Sequence, residues 1–336
     1  MAQLLKRVRQ PSAEAPSGTA ESRRDAWHFD LRNYIVYIAF FAILVFFAIG
    51  LRDRGFFTLS NFMSIVRVTT PITVMAVGMV FGLSTGEIDL SVGSVVALSA
   101  LVAARVLRAT DVVALGVLAA LSVGLVIGMV NGLITVWARI PSFLVTLGML
   151  SIVQGLARSA TTLDAVPVTN DTFNWWFGSG SFGDISILFV WTAVVVLVGH
   201  LAYRNTKYGR RILATGGNRW AADSVGIKTA RVKASALVMS AMLASMAGLL
   251  YAGRLHGARY TLGETDLLTV IAAVVIGGTS LFGGRGSVMG ALAGSIIMGM
   301  LSNGLVIMGL SVAGQMIARG AIIIIAVVLS LRERRA

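Results

Sequence analysis

The stretch VVALGVLAALSVGLVIGMVNGLITV, residues 112–136, contains no charged residue. A helix of about twenty apolar residues crosses a bilayer core of about 30 Å, so this stretch reads as a membrane span. Similar runs recur on both sides of it. Ten spans are expected, at 33–51, 64–83, 89–107, 112–136, 142–160, 185–203, 233–252, 267–281, 287–308 and 312–331. Of the 336 residues, 56% are hydrophobic and only 13% charged, against about a quarter charged in soluble domains. The spans leave no room for a large soluble domain. The expected fold is all-α, a polytopic membrane protein of about ten transmembrane helices, some broken or re-entrant.

The chain has 37 glycines, which membrane helices tolerate because close backbone approach replaces side-chain packing. Gly116, Gly124, Gly128 and Gly132 share roughly one face of the fourth span, and Gly286, Gly290 and Gly294 one face of the ninth. Both sets predict helix–helix packing. The pairs Gly93-Ser94-Val95 and Gly286-Ser287-Val288 each open a span after a polar turn. They either mark a duplicated half or are chance matches in glycine-rich sequence.

Net charge is +13. The cations fall mostly between apolar runs, so positive-inside bias explains them better than nucleic-acid binding. The first stretch carries Lys6, Arg7, Arg9, Arg23, Arg24 and Arg32; the 204–233 loop carries Arg204, Lys207, Arg210, Arg211, Arg219, Lys228, Arg231 and Lys233 against Asp223. The C-terminus carries Arg332, Arg334 and Arg335. An even number of spans puts all three on one side, the cytoplasm. The 161–184 loop holds Asp164, Asp171 and Asp184 with no cation, as an external loop does. Arg105, Arg108, Arg254 and Arg259 run against the bias, and Arg319 in the last span is expected to snorkel outward. Residues 1–32 are expected to be a disordered basic tail, 33–331 the membrane domain with 204–233 as its cytoplasmic loop, and 332–336 a short tail. The first run has the length of a full span and ends in Arg52-Asp53-Arg54, so it reads as a retained helix rather than a signal peptide.

Cysteine is absent, which excludes thiolate metal sites and disulfides. His28, His200 and His256 lie in separate connecting regions, so no metal site is expected. Glu87, Asp89 and Ser91 lie in the short break Thr85-Gly86-Glu87-Ile88-Asp89-Leu90-Ser91 between two apolar runs. Carboxylates at that depth are costly unless they face water or protein. Two readings stand: a polar lining near the cytoplasmic mouth of a solute path, or a short loop in which Asp89 caps the next helix. Asn131, Gln154 and Asn303 (with Gln315) either line the same path or bond between helices. Acids at mid-span and chains of embedded titratable groups are lacking, which suits a neutral polar solute. A nucleophile, base and orienting group cannot be assembled, which disfavours an enzyme.

No G-x-x-x-x-G-K-[ST] phosphate loop occurs; the nearest string, residues 277–286, lacks its lysine. Any ATP-driven motor is therefore another chain. The 204–233 loop offers it a docking place. Asn218 caps a short helix through Ala221 and Ala222, and Gly226 ends it. Alternatively the loop only sets orientation.

At this loop the sequence resembles permease subunits of ATP-binding-cassette (ABC) importers, which carry a docking loop E-A-A-x-x-x-G. Ala221, Ala222 and Gly226 match it, and Trp220 replaces the glutamate. Three segments, 86–94 (GEIDLSVGS), 214–218 (ATGGN) and 277–287 (GGTSLFGGRGS), look like signatures of the ribose/xylose/arabinose/galactoside permease family in order and separation. Branched-chain amino acid permeases carry a segment like the first. The resemblance covers about 33–331. It implies a coupling loop at Gly216, Gly217, Asn218, Ala221, Ala222 and Gly226. It also implies a cytoplasmic ABC ATPase that binds the ATP, so the chain itself needs no cofactor. A periplasmic or lipid-anchored sugar-binding protein and a second permease copy or paralogue would complete the assembly in the bacterial inner membrane. The cargo would be a monosaccharide or similar polyol. Alternatives are a branched-chain amino acid permease and a motor-independent channel or secondary transporter.

Overall fold

The computed structural model describes residues 35–161 and 163–332. The tail expected over 1–32 and residues 333–336 lie outside the described residues. A helix stands on each of the ten expected runs. In chain order these are α1 (Ile35–Gly50), α2 (Leu59–Ser84), α3 (Val92–Thr110), α4 (Val113–Trp137) and α5 (Ser142–Thr161). A short α6 (Asp171–Asn174) precedes α7 (Ile187–Asn205). Then come α8 (Lys207–Gly217), α9 (Arg219–Ser224), α10 (Thr229–Leu255), α11 (Asp266–Ile276), α12 (Val288–Ile307) and α13 (Val312–Arg332). Seven of them, α2–α5, α7, α10 and α12, are long and apolar enough to cross a membrane. The helix α11 has only 11 residues and at about 1.5 Å per residue covers half a bilayer. The glycine-rich segment 277–287 continues from it in place of the expected span's last turns.

The helices α2 and α10 form the interior, packing on each other, and α10 also lies along α3 and α4. In α2, 89% of the most apolar stretch is buried, against 17% in α5, so α5 presents most of its surface to lipid or another chain. The glycines explain the close packing. A Cβ on Gly124, Gly128 or Gly132 would lie 2.6 Å from Ala241 O, 2.7 Å from Val238 Cα or 2.9 Å from Ala234 Cα, all on α10. Gly116 instead meets Leu107 of α3. On α12, Gly290 and Gly294 abut Gly277 and Ala273. Gly286 does not share their face as expected, because α12 begins two residues later at Val288.

Pro71 sits inside α2. Proline has no N–H, so the carbonyl four residues earlier loses its helical partner. That carbonyl belongs to Arg67, and Arg254 of α10 donates Nη1 to it at 2.8 Å. One cation that ran against the charge bias thus satisfies a helix carbonyl. Arg319 is half-buried and donates to Gln315 Oε1 at 3.3 Å.

The connection expected as a plain loop over 161–184 is structured. Strand β1 (Val166–Pro167) pairs antiparallel with β4 (Gly257–Ala258), and β2 (Ser181–Phe182) with β3 (Ile185–Ser186). Between them a π-helical turn, Trp175–Ser179, packs Gly178 onto the Gly253–Arg254 backbone at the end of α10.

Candidate coupling and translocation site

The helix α2 ends at Ser84, and the chain turns at Gly86 with φ +82°. The next residues run without helical bonds to Ser91, the N-cap of α3. Their backbone groups must find partners, since an unpaired buried amide costs about 1–3 kcal/mol. Helix α5 supplies them. Ile88 N donates to Ser142 Oγ at 2.9 Å and Leu90 N to Thr146 Oγ1 at 3.0 Å. Ser142 and Thr146 are one helical turn apart, so one face of α5 acts as a template for the extended segment.

The polar side chains of the break are buried. Glu87 forms an ion pair with Lys233 of α10. Asp89 Oδ1 accepts from Ser91 N at 3.0 Å and from Ser91 Oγ at 2.6 Å. Asn131 of α4 donates Nδ2 to the same Ser91 Oγ at 3.0 Å. The expected capping role of Asp89 is thus displaced: α3 starts at Val92, and Asp89 braces the N-cap residue from two positions before it. Ser240 of α10 stands beside Asp89, and Asn131 Oδ1 is buried without a hydrogen-bond partner, which leaves polar capacity at this junction.

Three of the six expected path residues, Asp89, Ser91 and Asn131, therefore meet, while Glu87 of the same segment pairs with Lys233. Gln154 lies half-buried farther along α5. Asn303 on α12 exchanges two hydrogen bonds with Asn61 of α2, 2.9 and 3.0 Å long, so it ties two helices away from this group.

The expected coupling residues sit directly beneath. Thr206 caps α8, accepting from Gly209 N at 3.2 Å, and α8 carries Gly216 and Gly217 as its last turn. Asn218 caps α9 by accepting from Ala221 N at 3.1 Å, and Gly226 follows it with φ +82°. Ala222 faces inward, whereas Trp220 and Val225 are 85% and 76% exposed, so α9 offers a free apolar edge. Behind it three distant segments converge. A Cβ on Gly216 would overlap the Ser84 carbonyl oxygen and stand 2.7 Å from Gly284 N. Gly284 N itself donates to Ser84 O at 3.0 Å. Gly283 and Gly284 adopt φ +88° and +78°, a region that residues with a Cβ rarely occupy. Tyr203 OH bonds Ser84 Oγ at 2.7 Å. Tyr208 of α8 bonds Ser235 Oγ of α10 at 3.0 Å, and burial raises the pKa of its phenol.

Sequence reasoning missed Lys233, Ser142, Thr146, Ser84 and Tyr203. Lys233 carried a signal. It stood at the first position of an expected apolar span, where a cation needs a partner. The hydroxyls carried none, because Ser and Thr are common in membrane helices.

A helical multi-pass protein with a basic helical elbow packed against a broken, polar helix junction is a membrane permease. Residues 61–327 match the family described as branched-chain amino acid transport system, permease component, and the chain belongs to that family. It is 34% identical to the ribose import permease protein RbsC of Escherichia coli K12, covering 92% of this chain and 96% of that one. It is 35% identical to the L-arabinose ABC transporter permease protein AraH of Azospirillum brasilense, over 94% and 92%. The Bacillus subtilis ribose import permease RbsC is 35% identical, over 91% and 95%. No solved structure matches the chain.

Proposed function

We propose that this chain is the membrane permease subunit of an ABC importer and carries a monosaccharide or similar small polyol into the bacterial cell. The observation that carries the reading is the junction of 84–91, 214–218 and 277–287. There the last turn of α8, which leads into the docking helix, stands directly against the end of the broken helix that holds buried polar groups. The α8–α9 elbow is the ATPase-docking element, with Trp220, Ala221 and Val225 on its exposed edge and Gly216, Gly217, Asn218, Ala222 and Gly226 shaping it. Glu87, Asp89, Ser91 and Asn131 form the polar part of the path wall nearest the motor. ATP binds to the partner subunit. A binding protein delivers the sugar, and a second permease copy or paralogue completes the path.

Ten crossings with both termini cytoplasmic fit the contacts between helix ends, which sort into two sets. One set joins Ser84, Tyr203, Gly284, Glu87 and Lys233. The other joins Arg158 to Glu264, Asn170 to Asp111, and Arg54 to the Ile307 carbonyl. Successive helices run between the two sets in alternation. The basic α8–α9 elbow belongs to the first set, which is the cytoplasmic one by positive-inside bias.

The test is uptake into proteoliposomes holding this chain, its ATPase and its binding protein, with radiolabelled ribose, arabinose and leucine as cargo. Pentose uptake that needs ATP and both partners supports the reading. Leucine uptake in its place would assign the cargo that the family description names. Uptake by the permease alone would refute an ATP-driven importer.

A further inference from the structure

We propose that the Glu87–Lys233 ion pair is the mechanical link through which movement of the α8–α9 elbow reaches the buried 85–91 segment and, through it, α5. The proposal rests on the reading of that elbow as the ATPase-docking element. Only residues 225–228 separate α9 from α10. Ile227 N donates to Ala222 O at 3.0 Å, and Thr229 Oγ1 to Asp223 Oδ1 at 2.7 Å. These bonds lock α9 to the start of α10, so the two move as one body. Lys233 stands in the second turn of that body and reaches across to Glu87. Glu87 opens the segment whose amides at Ile88 and Leu90 are held by Ser142 and Thr146. The far end of this chain of contacts is α5, which packs chiefly on α3 and α4 and is the least buried of the seven spans.

The pair is suited to carry a displacement. Its side chains are only 19% (Lys233) and 7% (Glu87) exposed. Parting two such groups leaves an unpaired charge in a poorly hydrated place, which is far costlier than parting a surface pair. When the elbow shifts, Glu87 therefore follows Lys233. A second polar contact of the elbow, Tyr208 to Ser235, joins α8 to α10 and does not reach the 85–91 segment.

A merely structural pair would do no more than neutralise two buried charges, and paired substitutions separate the roles. Removing both charges, as in Glu87→Gln with Lys233→Met, leaves no stranded ion and preserves folding. Reversing both, Glu87→Lys with Lys233→Glu, keeps the link. The assay uses the complete importer in proteoliposomes and reads radiolabelled ribose taken up per ATP hydrolysed. Co-purification of the ATPase is scored in parallel. The neutral double variant is expected to retain the ATPase but to lose about tenfold in uptake per ATP, the scale of a typical inter-site coupling. The reversed pair is expected to recover most of that loss. A neutral double variant with wild-type coupling would overturn the link and leave a structural pair. A reversed pair no better than the neutral one would also overturn it, pointing to direct contact of Glu87 with the cargo. Failure of the wild-type importer to couple ribose uptake to ATP would remove the docking reading and the link with it.

Discussion

Gly216→Ala is the sharpest perturbation of the glycine junction. The added methyl would overlap the Ser84 carbonyl oxygen and approach Gly284 N to 2.7 Å. Both are backbone atoms, so no side chain can swing away. Either α8 lifts off the end of α2 or the 277–287 segment withdraws. The second movement breaks the 3.0 Å bond from Gly284 N to Ser84 O, worth about 1 kcal/mol. Forcing a methyl into a filled site costs about 1–3 kcal/mol more. A loss of about 2–4 kcal/mol is expected in unfolding of the detergent-solubilised permease. Gly217→Ala is the control, because its Cβ would meet nothing nearer than Gly284 Cα at 4.0 Å. Its effect should stay within about 0.5 kcal/mol, as for open sites. Equal stability of Gly216→Ala and wild type, or equal losses at both positions, would refute the convergence of the three segments.

Ala221→Trp places bulk on the exposed edge of α9; ATPase co-purification should be lost while the unfolding midpoint of the permease is unchanged. Arg254→Met should cost about 1.5–3 kcal/mol, as for a lost charged hydrogen bond, and much less when Pro71→Ala restores an N–H for the Arg67 carbonyl. A double-mutant cycle with coupling near zero would show that the proline does not create the need for that arginine. Asp89→Ala strips the acceptor from Ser91 N and Oγ, so uptake should fall more than assembly, and unchanged uptake would return Asp89 to a passive brace. An epitope inserted at Gly183, the open hairpin tip with φ +60°, should be labelled from outside intact cells; labelling only after permeabilisation would invert the topology.

The membrane class, the sites of the ten helices and the short α9 were legible in the chain because each depends on local composition. A run without charges dictates a helix in lipid, since no water is there to satisfy the backbone. Asn218 and Gly226 delimit α9 by bonds and torsions within a few residues. Family membership was also legible, in three short glycine-bearing strings. What the strings do was not. The glycines of the second and third are needed because residues 84, 216 and 284 touch, and contact between positions that far apart has no local signature. The same holds for Lys233, which composition assigned to a cytoplasmic charge cluster and packing assigns to Glu87. It holds too for Arg254, whose partner exists only because Pro71 removes an amide on another helix. Asn131 and Asn303 looked alike as isolated polar residues, yet one joins the Asp89–Ser91 group and the other clasps Asn61 at a distance from it. Sequence determined which segments form apolar helices suited to a membrane, because that choice rests on the transfer free energy of each segment alone. Tertiary structure decided which polar groups meet, because a buried charge or amide is stable only beside a partner that another helix brings.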